Sequence, residues 1–268
     1  MGAKAAMRGC AVFLFAHQDD EFAVFPKIEA ELAACHRVVC IYLTDGTFGG
    51  QSAAVRNAES LAVLTAMGVD ATDVVFLGEY AGIRDGCLYE SLELALQRTF
   101  EVVRRLAYIA AFYVMAWEGG HQDHDAGHLV GLALAVRLGL LDKTWQFSLY
   151  NGRGLPWIFF RVLSPLSGNG PVLAQRLSWA QRWQYIHHCL SYKSQRKTWL
   201  GLFPFVAAQY LLGGQAKWQP VSIGRIANRP HAGPLLYEKR AMCHYLRFRQ
   251  VAQPFIAQCI AGAEPEKG

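Results

Sequence analysis

The stretch Cys10-Ala-Val-Phe-Leu-Phe-Ala16 runs without a break into His17-Gln-Asp-Asp-Glu21. Apolar residues in continuous succession, rather than in alternation, predict a strand buried on both faces, the kind found in parallel sheets. Such a strand ends here in one imidazole and three carboxylates, groups that are costly to place beside a core. In open parallel sheets the carboxyl ends of the strands form the rim where ligands bind. A second strand-like run, Ile109 to Trp117, is followed by His121-Gln-Asp-His-Asp125. Two His/Asp clusters at two strand ends point to a metal site.

The order of elements outward from this stretch sets the fold class. A helix is expected over about 22–34, then a β-rich strand over Arg37–Leu43 ending in Thr44-Asp45-Gly46. Ala53–Met67 has helical spacing and stops at Gly68, a residue suited to a helix C-terminus. Val74–Leu77 reads as a short strand and Tyr89–Tyr108 as a helix, with Leu92, Leu96, Phe100 and Val103 on one stripe. Ile109–Trp117 is the next strand and His124–Leu140 the next helix. This βαβα alternation predicts an α/β fold: a Rossmann-like, mostly parallel sheet with helices on both faces. After about residue 150 glycine, proline and aromatic residues punctuate the chain, and helical spacing returns over about 173–197. The expected organisation is a single domain over 1–268. Residues 1–150 form its core, 151–262 a helical, aromatic-rich extension that shapes the substrate side, and 263–268 a disordered tail.

Composition narrows the function. The chain has 268 residues, of which 53% are hydrophobic and 18% charged, which describes a well-filled core and not a disordered chain. A net charge of +5, with basic residues dispersed and no recognition-helix or zinc-finger pattern, argues against nucleic acid as a partner. The seven cysteines are odd in number and form no CxxC pair, so they read as buried thiols of a reducing compartment. The apolar run after Lys4 and Arg8 is too short for a signal peptide, and no run reaches the ~18–20 residues of a membrane span. A cytoplasmic location is the expectation.

The chemistry follows from the donor types. Catalytic zinc takes three protein ligands and leaves one position for water, whose pKa it brings to about 7. His17 and Asp20, three residues apart at a strand end, can reach one ion, and His124 can supply the third ligand. Asp19 stands beside them as general base. His121 is placed as a positively charged donor for a developing oxyanion. The donor set would also accept iron or cobalt.

These motifs resemble those of the PIG-L/LmbE-like zinc-dependent deacetylases, most of which act on substrates containing N-acetylglucosamine. The family's Ala-His-Pro-Asp-Asp-Glu is similar to Ala16-His17-Gln18-Asp19-Asp20-Glu21, and its His-Pro-Asp-His to His121-Gln122-Asp123-His124. Thr44-Asp45-Gly46, Arg56-Asn-Ala-Glu59 and Tyr192-Lys-Ser-Gln195 extend the resemblance over about 10–195. It implies His17, Asp20 and His124 as zinc ligands and Asp19 as base. It also implies His121 as the group that stabilises the intermediate or protonates the leaving amine, with Asp123 orienting it. Arg56 and Asp85 would hold sugar hydroxyls. Both motif prolines are replaced by glutamine, at 18 and 122, which restores backbone freedom and a donor at each position.

Residues 155–220 mix aromatic and basic side chains, among them Trp157, Phe159, Phe160, Trp179, Arg182, Trp183, Lys193, Arg196 and Trp199. One reading is a core of helices against the sheet; the other is a peripheral contact with the inner face of the cytoplasmic membrane. With the second, the expected substrate is an amino sugar on a glycolipid or a lipopolysaccharide precursor. The rivals are a zinc amidase for a non-sugar amide, such as an antibiotic or thiol-precursor intermediate, and a non-catalytic carbohydrate- or lipid-binding protein.

Overall fold

A computed structural model describes residues 9–261; the tail expected at 263–268 lies outside the described residues. Its centre is a seven-stranded sheet in the order β3-β2-β1-β4-β5-β9-β8. Strand β1 (Cys10–Phe15) is buried along its whole length and pairs in parallel with β2 (Arg37–Tyr42) and β4 (Ile109–Met115). β3 (Val74–Val75) adds in parallel to β2, and β5 (Thr144–Phe147) to β4. The chain therefore adds parallel strands first on one side of β1 and then on the other, which makes the gap between the ends of β1 and β4 the switch point of a doubly wound sheet. Both His/Asp clusters leave the sheet at that gap.

The α/β reading holds, with one addition. β9 (Gln215–Pro220) pairs antiparallel with β5, and β8 (Leu173–Arg176) antiparallel with β9, so the C-terminal part extends the same sheet. The helical spacing expected from 173 begins later. Leu173–Arg176 is an edge strand with little burial, and α6 (Trp179–Cys189) starts at a Ser178/Gln181 capping box. α7 (Arg196–Ala208) follows. A separate two-stranded pair, β6 (Tyr150–Asn151) with β7 (Arg161–Val162), sits between the sheet's two halves in sequence.

Helices surround the sheet. α1 spans Phe25–Ala33 and is preceded by a 3₁₀ turn over Asp20–Ala23 instead of the single helix expected from 22. The physical reason lies in Asp20 and Glu21, whose side chains turn inward to bond the strand end and so consume the residues that would have opened the helix. α2 (Ala53–Met67) ends as expected at Gly68, whose φ of 102° is a left-handed value that glycine adopts without strain. The strand expected over 74–77 stops at Val75, and Leu77 opens a short helix, α3 (Leu77–Ala81). The helix expected over 89–108 is limited to α4 (Leu92–Val103). α5 (Gln122–Arg137) begins two residues before His124, with His121 as its N-cap, and almost every residue in it is buried. α8 (Leu236–Lys239) and α9 (Tyr245–Ile256) follow, and a π-helical turn over Ala257–Ala261 ends the described chain.

Residues 155–220 are partly core and partly exposed. Trp199, Leu202, Val206 and Tyr185 are core, whereas Trp157, Trp179, Trp183 and Leu200 are exposed. No helix among the described residues is long and apolar enough to cross a membrane. All seven cysteines are free.

Candidate active site

The end of β1 is fixed by its own motif. The backbone N–H groups of Ala16 and His17 both donate to Asp20 Oδ2, at 3.0 and 2.8 Å. The other oxygen, Oδ1, lies 3.1 Å from His124 Nε2 on the first turn of α5. One carboxylate thus closes the loop and reaches across the switch point. Asp19, between them, has φ 107°, a strained value for a residue with a side chain. Strain of this kind persists only where the surroundings enforce it, and here it turns Asp19 into the cavity. Its N–H donates to Glu21 Oε2 at 3.0 Å, which gives Glu21 a loop-holding role.

The rings of His17, His121 and His124 form a mutual cluster, with centroids 4.7 to 5.3 Å apart. Donor atoms of His17, Asp20 and His124 all lie within 4.8 Å of one another, a spread that suits a single ion. His17 Nδ1 faces Asp20, at 3.8 Å from Oδ2. His17 Nε2 points the other way and lies 3.1 Å from both Asp123 Oδ2 and Asp85 Oδ1. A carboxylate behind the far ring nitrogen is the usual support of a metal-binding histidine, because it fixes the tautomer and raises ligand basicity. Two imidazoles and a carboxylate, buried together and with His17 backed in this way, fit a divalent ion such as zinc. A second trio, His17, Asp85 and His121, is equally compact but needs the ring nitrogen already engaged by Asp123.

This arrangement alters the expected part of Asp123. Its carboxylate is on His17, and it also accepts N–H groups from Gly86 at 2.5 Å and Leu88 at 3.0 Å. Only its backbone touches His121, donating to Nδ1 at 3.2 Å. With Nδ1 accepting, the proton of a neutral His121 ring sits on Nε2. Burial, together with repulsion from His17 and His124, holds His121 well below the ordinary histidine range. It is therefore a neutral donor, not the positively charged one expected.

Arg56 is buried, and its terminal nitrogens donate to the carbonyls of Gln18 at 2.5 Å and Gly46 at 2.6 Å. They also approach Asp19 Oδ1 at 3.4 Å and Asp85 Oδ2 at 3.3 Å. These bonds hold the loop, and Arg56 also lines the cavity. Asp85 lines the cavity, and its N–H is anchored by Asp45 Oδ1 at 2.9 Å. The same Asp45 oxygen accepts from Thr47 N–H, so Asp45 makes the turn and ties down the Asp85 loop.

Both glutamines that replace the motif prolines have partners. Gln18 Nε2 donates to Asn57 Oδ1 at 2.6 Å, and Asn57 donates in turn to Glu79 at 2.6 Å. Gln18 packs so closely on Gly46 that a Cβ there would lie 1.9 Å from its Oε1. Gln122 Nε2 donates to the Gly86 carbonyl at 3.2 Å. Each glutamine exchanges a rigid ring for a bond to the neighbouring segment.

Charge is distributed unevenly. Burial pushes the Asp19 carboxyl up to about 7, against the pull of Arg56. Burial acts on Asp20 in the same direction, but His124 and His17 outweigh it and hold that carboxyl well below the usual range. Burial would lower His17, yet Asp85, Asp123 and Asp20 together keep it well above the ordinary value. The two adjacent carboxyls are thus shifted in opposite directions by their different partners.

Above these residues opens a cavity of about 440 Å³, lined by His17, Asp19, Asp20, Arg56, Asp85 and His121 and also by Tyr150, Thr198, Leu202 and Arg240. The C-terminal part contributes Trp199, whose indole Nε1–H donates to Asp19 Oδ2 at 3.1 Å. Sequence reasoning missed that contact; the aromatic density around Trp199 is its only trace there.

Residues 12–135 match the family GlcNAc-PI de-N-acetylase, PIG-L. Among solved structures, a triple-mutant deacetylase of the teicoplanin biosynthetic pathway aligns with TM-score 0.59 at 14% identity, over 80% of this chain and 98% of that one. N,N'-diacetylchitobiose deacetylase from Pyrococcus horikoshii aligns with TM-score 0.55 at 15% identity, over 79% and 84%. A conserved protein from Thermus thermophilus aligns with TM-score 0.53 at 18% identity, over 79% and 92%. At these identities the likeness establishes a shared fold. No curated protein matches the sequence. The matched segment, residues 12–135, carries both histidine–aspartate motifs.

Proposed function

We propose that the chain is a metal-dependent N-deacetylase that hydrolyses the acetamide of a GlcNAc-type amino sugar and releases acetate. The observation that carries this reading is the placement of Asp19 beside the His17, Asp20 and His124 donors, with Asp19, His17 and Asp20 lining one cavity. A divalent ion held by those three, zinc by the chemistry of the set, supplies Lewis acidity and a water of lowered pKa. The rest belongs to the protein. Asp19 takes the proton of the attacking water. His121, neutral and carrying its proton on Nε2, donates to the oxygen that becomes negative. Asp123 holds the His17 ring, and Arg56 and Trp199 hold Asp19. Residues 1–150 carry this chemistry, and 151–262 shape the substrate side through Tyr150's neighbours Thr198, Leu202 and Arg240.

A purely binding protein has no use for a strained carboxylate poised near neutral, which favours catalysis over a non-catalytic reading. The test is acetate release from N-acetylglucosaminides by protein of measured zinc content, run beside simple non-sugar acetamides. Turnover confined to the non-sugar amides would replace the sugar with another acyl amine. Lipid linkage is a second reading, favoured by the exposed Trp157, Phe159 and Leu200. Protein that does not float with anionic liposomes would remove it.

A further inference from the structure

Of the cations lining the cavity, Arg240 differs from Arg56. Arg56 spends its terminal donors on Gln18, Gly46, Asp19 and Asp85. Arg240 lies beyond the Tyr150 ring and lines both this cavity and an adjoining one bounded by Phe160 and Gly201. Its guanidinium sits 5.8 Å from the Tyr150 ring centre and 5.2 Å from that of Phe160. Ring faces hold a guanidinium in place without consuming its N–H groups. Among the described residues no carboxylate pairs with it. The acid closest in sequence, Glu238, is taken by Arg229 and by the N–H groups of Leu235 and Tyr245. The Tyr150 ring stands between Arg240 and the metal-side cluster, with its centroid 5.3 Å from that of His124.

We infer that Arg240 is a specificity-determining residue that binds an oxyanion, a phosphate or a carboxylate, carried by the substrate beyond its N-acetyl sugar. A planar fork of donors held by two rings is suited to the two oxygens of such a group. With the acetamide taken by the metal end, the charged substituent would lie on the Arg240 side of the Tyr150 ring. The location of the sugar rests on the deacetylase reading; the anion site does not.

The test compares N-acetylglucosamine 1-phosphate, carboxymethyl N-acetylglucosaminide and the neutral methyl N-acetylglucosaminide in the zinc-loaded wild type, Arg240→Met and Arg240→Lys. The expected result is a wild-type preference of about tenfold in kcat/KM for at least one anionic substrate, expressed in KM and weakened by salt. That preference collapses in Arg240→Met and returns in part in Arg240→Lys. The anion that benefits identifies the substituent. A wild type indifferent to charge, or a preference that survives Arg240→Met because the anion binds at the metal, overturns the inference. Should none of the three be hydrolysed, the deacetylase reading falls. Calorimetric binding of the same ligands then decides the anion site: Arg240-dependent binding upholds it and equal binding by wild type and Arg240→Met removes it.

Discussion

Trp199 Nε1 donates to Asp19 Oδ2 across 3.1 Å, which joins a residue of α7 to the residue that the first motif offers as base. Trp199 is itself fixed by stacking on Tyr192, with centroids 5.7 Å apart and planes within 8°, and by an edge contact with Phe22. The indole therefore approaches Asp19 from a rigid wall. Trp199→Phe keeps the stacking and removes the donor. A hydrogen bond to a charged group is worth about 1.5–3 kcal/mol, so kcat should fall roughly 10- to 100-fold with zinc content unchanged. Because the donor favours the ionised carboxylate, the acid limb of the pH–rate profile should move to higher pH. An unshifted limb would assign Trp199 to packing alone.

Asp19→Asn should retain metal and lose about 10²- to 10⁴-fold in turnover, the range of general base catalysis. His124→Ala, by contrast, should lose the metal, which elemental analysis would register directly. The pH dependence follows from the burial that pushes Asp19 up to about 7. Only the ionised form accepts a proton, so kcat/KM rises with pH through that limb. A bound cation pulls in the same direction as Arg56 and sets the limb at or below 7. A rate that stays flat from pH 4 to 8 would remove Asp19 from the chemistry.

Asp123 distinguishes two accounts of the second motif. If its carboxylate supports His17, as its 3.1 Å contact indicates, Asp123→Asn should weaken zinc binding by about 10- to 100-fold in a chelator competition. If it acted only by orienting His121, metal affinity would stay constant and only the rate would drop. Neither outcome depends on which substrate is used.

The fold and the donor set were legible because they rest on local contrast. Cys10–Phe15 is apolar at every position, and the polar residues that follow it stand out against it. The pairings inside the site were not legible, because they depend on where loops distant in sequence meet. Asp123 finds His17 rather than His121 because the 84–88 loop passes over α5 and supplies the N–H groups of Gly86 and Leu88. The bonds of Arg56 to the carbonyls of Gln18 and Gly46 likewise arise only where those loops meet. β8 escaped notice because Leu173–Arg176, at the sheet's edge, is mostly exposed and shows no alternation.

The glutamines of the two motifs should respond differently to proline. Gln122 is the first residue of α5, where proline is favoured and a missing N–H costs nothing. Gln122→Pro loses one bond to Gly86 and should change Tm by only a few degrees. Gln18→Pro removes the partner of Asn57, which is buried and bonded on to Glu79, and should destabilise more. Thermal melts of the two variants give the order, and equal losses would contradict it.

Asp125 supplies a stability test separate from catalysis. Its Oδ1 accepts the N–H groups of Glu118 and Gly119, at 3.1 and 3.0 Å, where the chain leaves β4 for α5. Burial pushes its carboxyl up to about 7, against the help of those two donors, and buried Glu118 beside it is also raised. The unfolded carboxyl titrates near about 3.9. Between about pH 4 and 7 the folded state therefore binds more protons than the unfolded state. Stability from this group is complete below about pH 4 and is lost as pH rises through about 7. Asp125→Asn keeps an oxygen for the backbone donors and cannot ionise. Its melting temperature should fall less than that of the wild type between pH 5 and 8, measured on zinc-free protein so that metal affinity does not enter. Parallel curves for the two proteins would show that Asp125 is already ionised throughout that range.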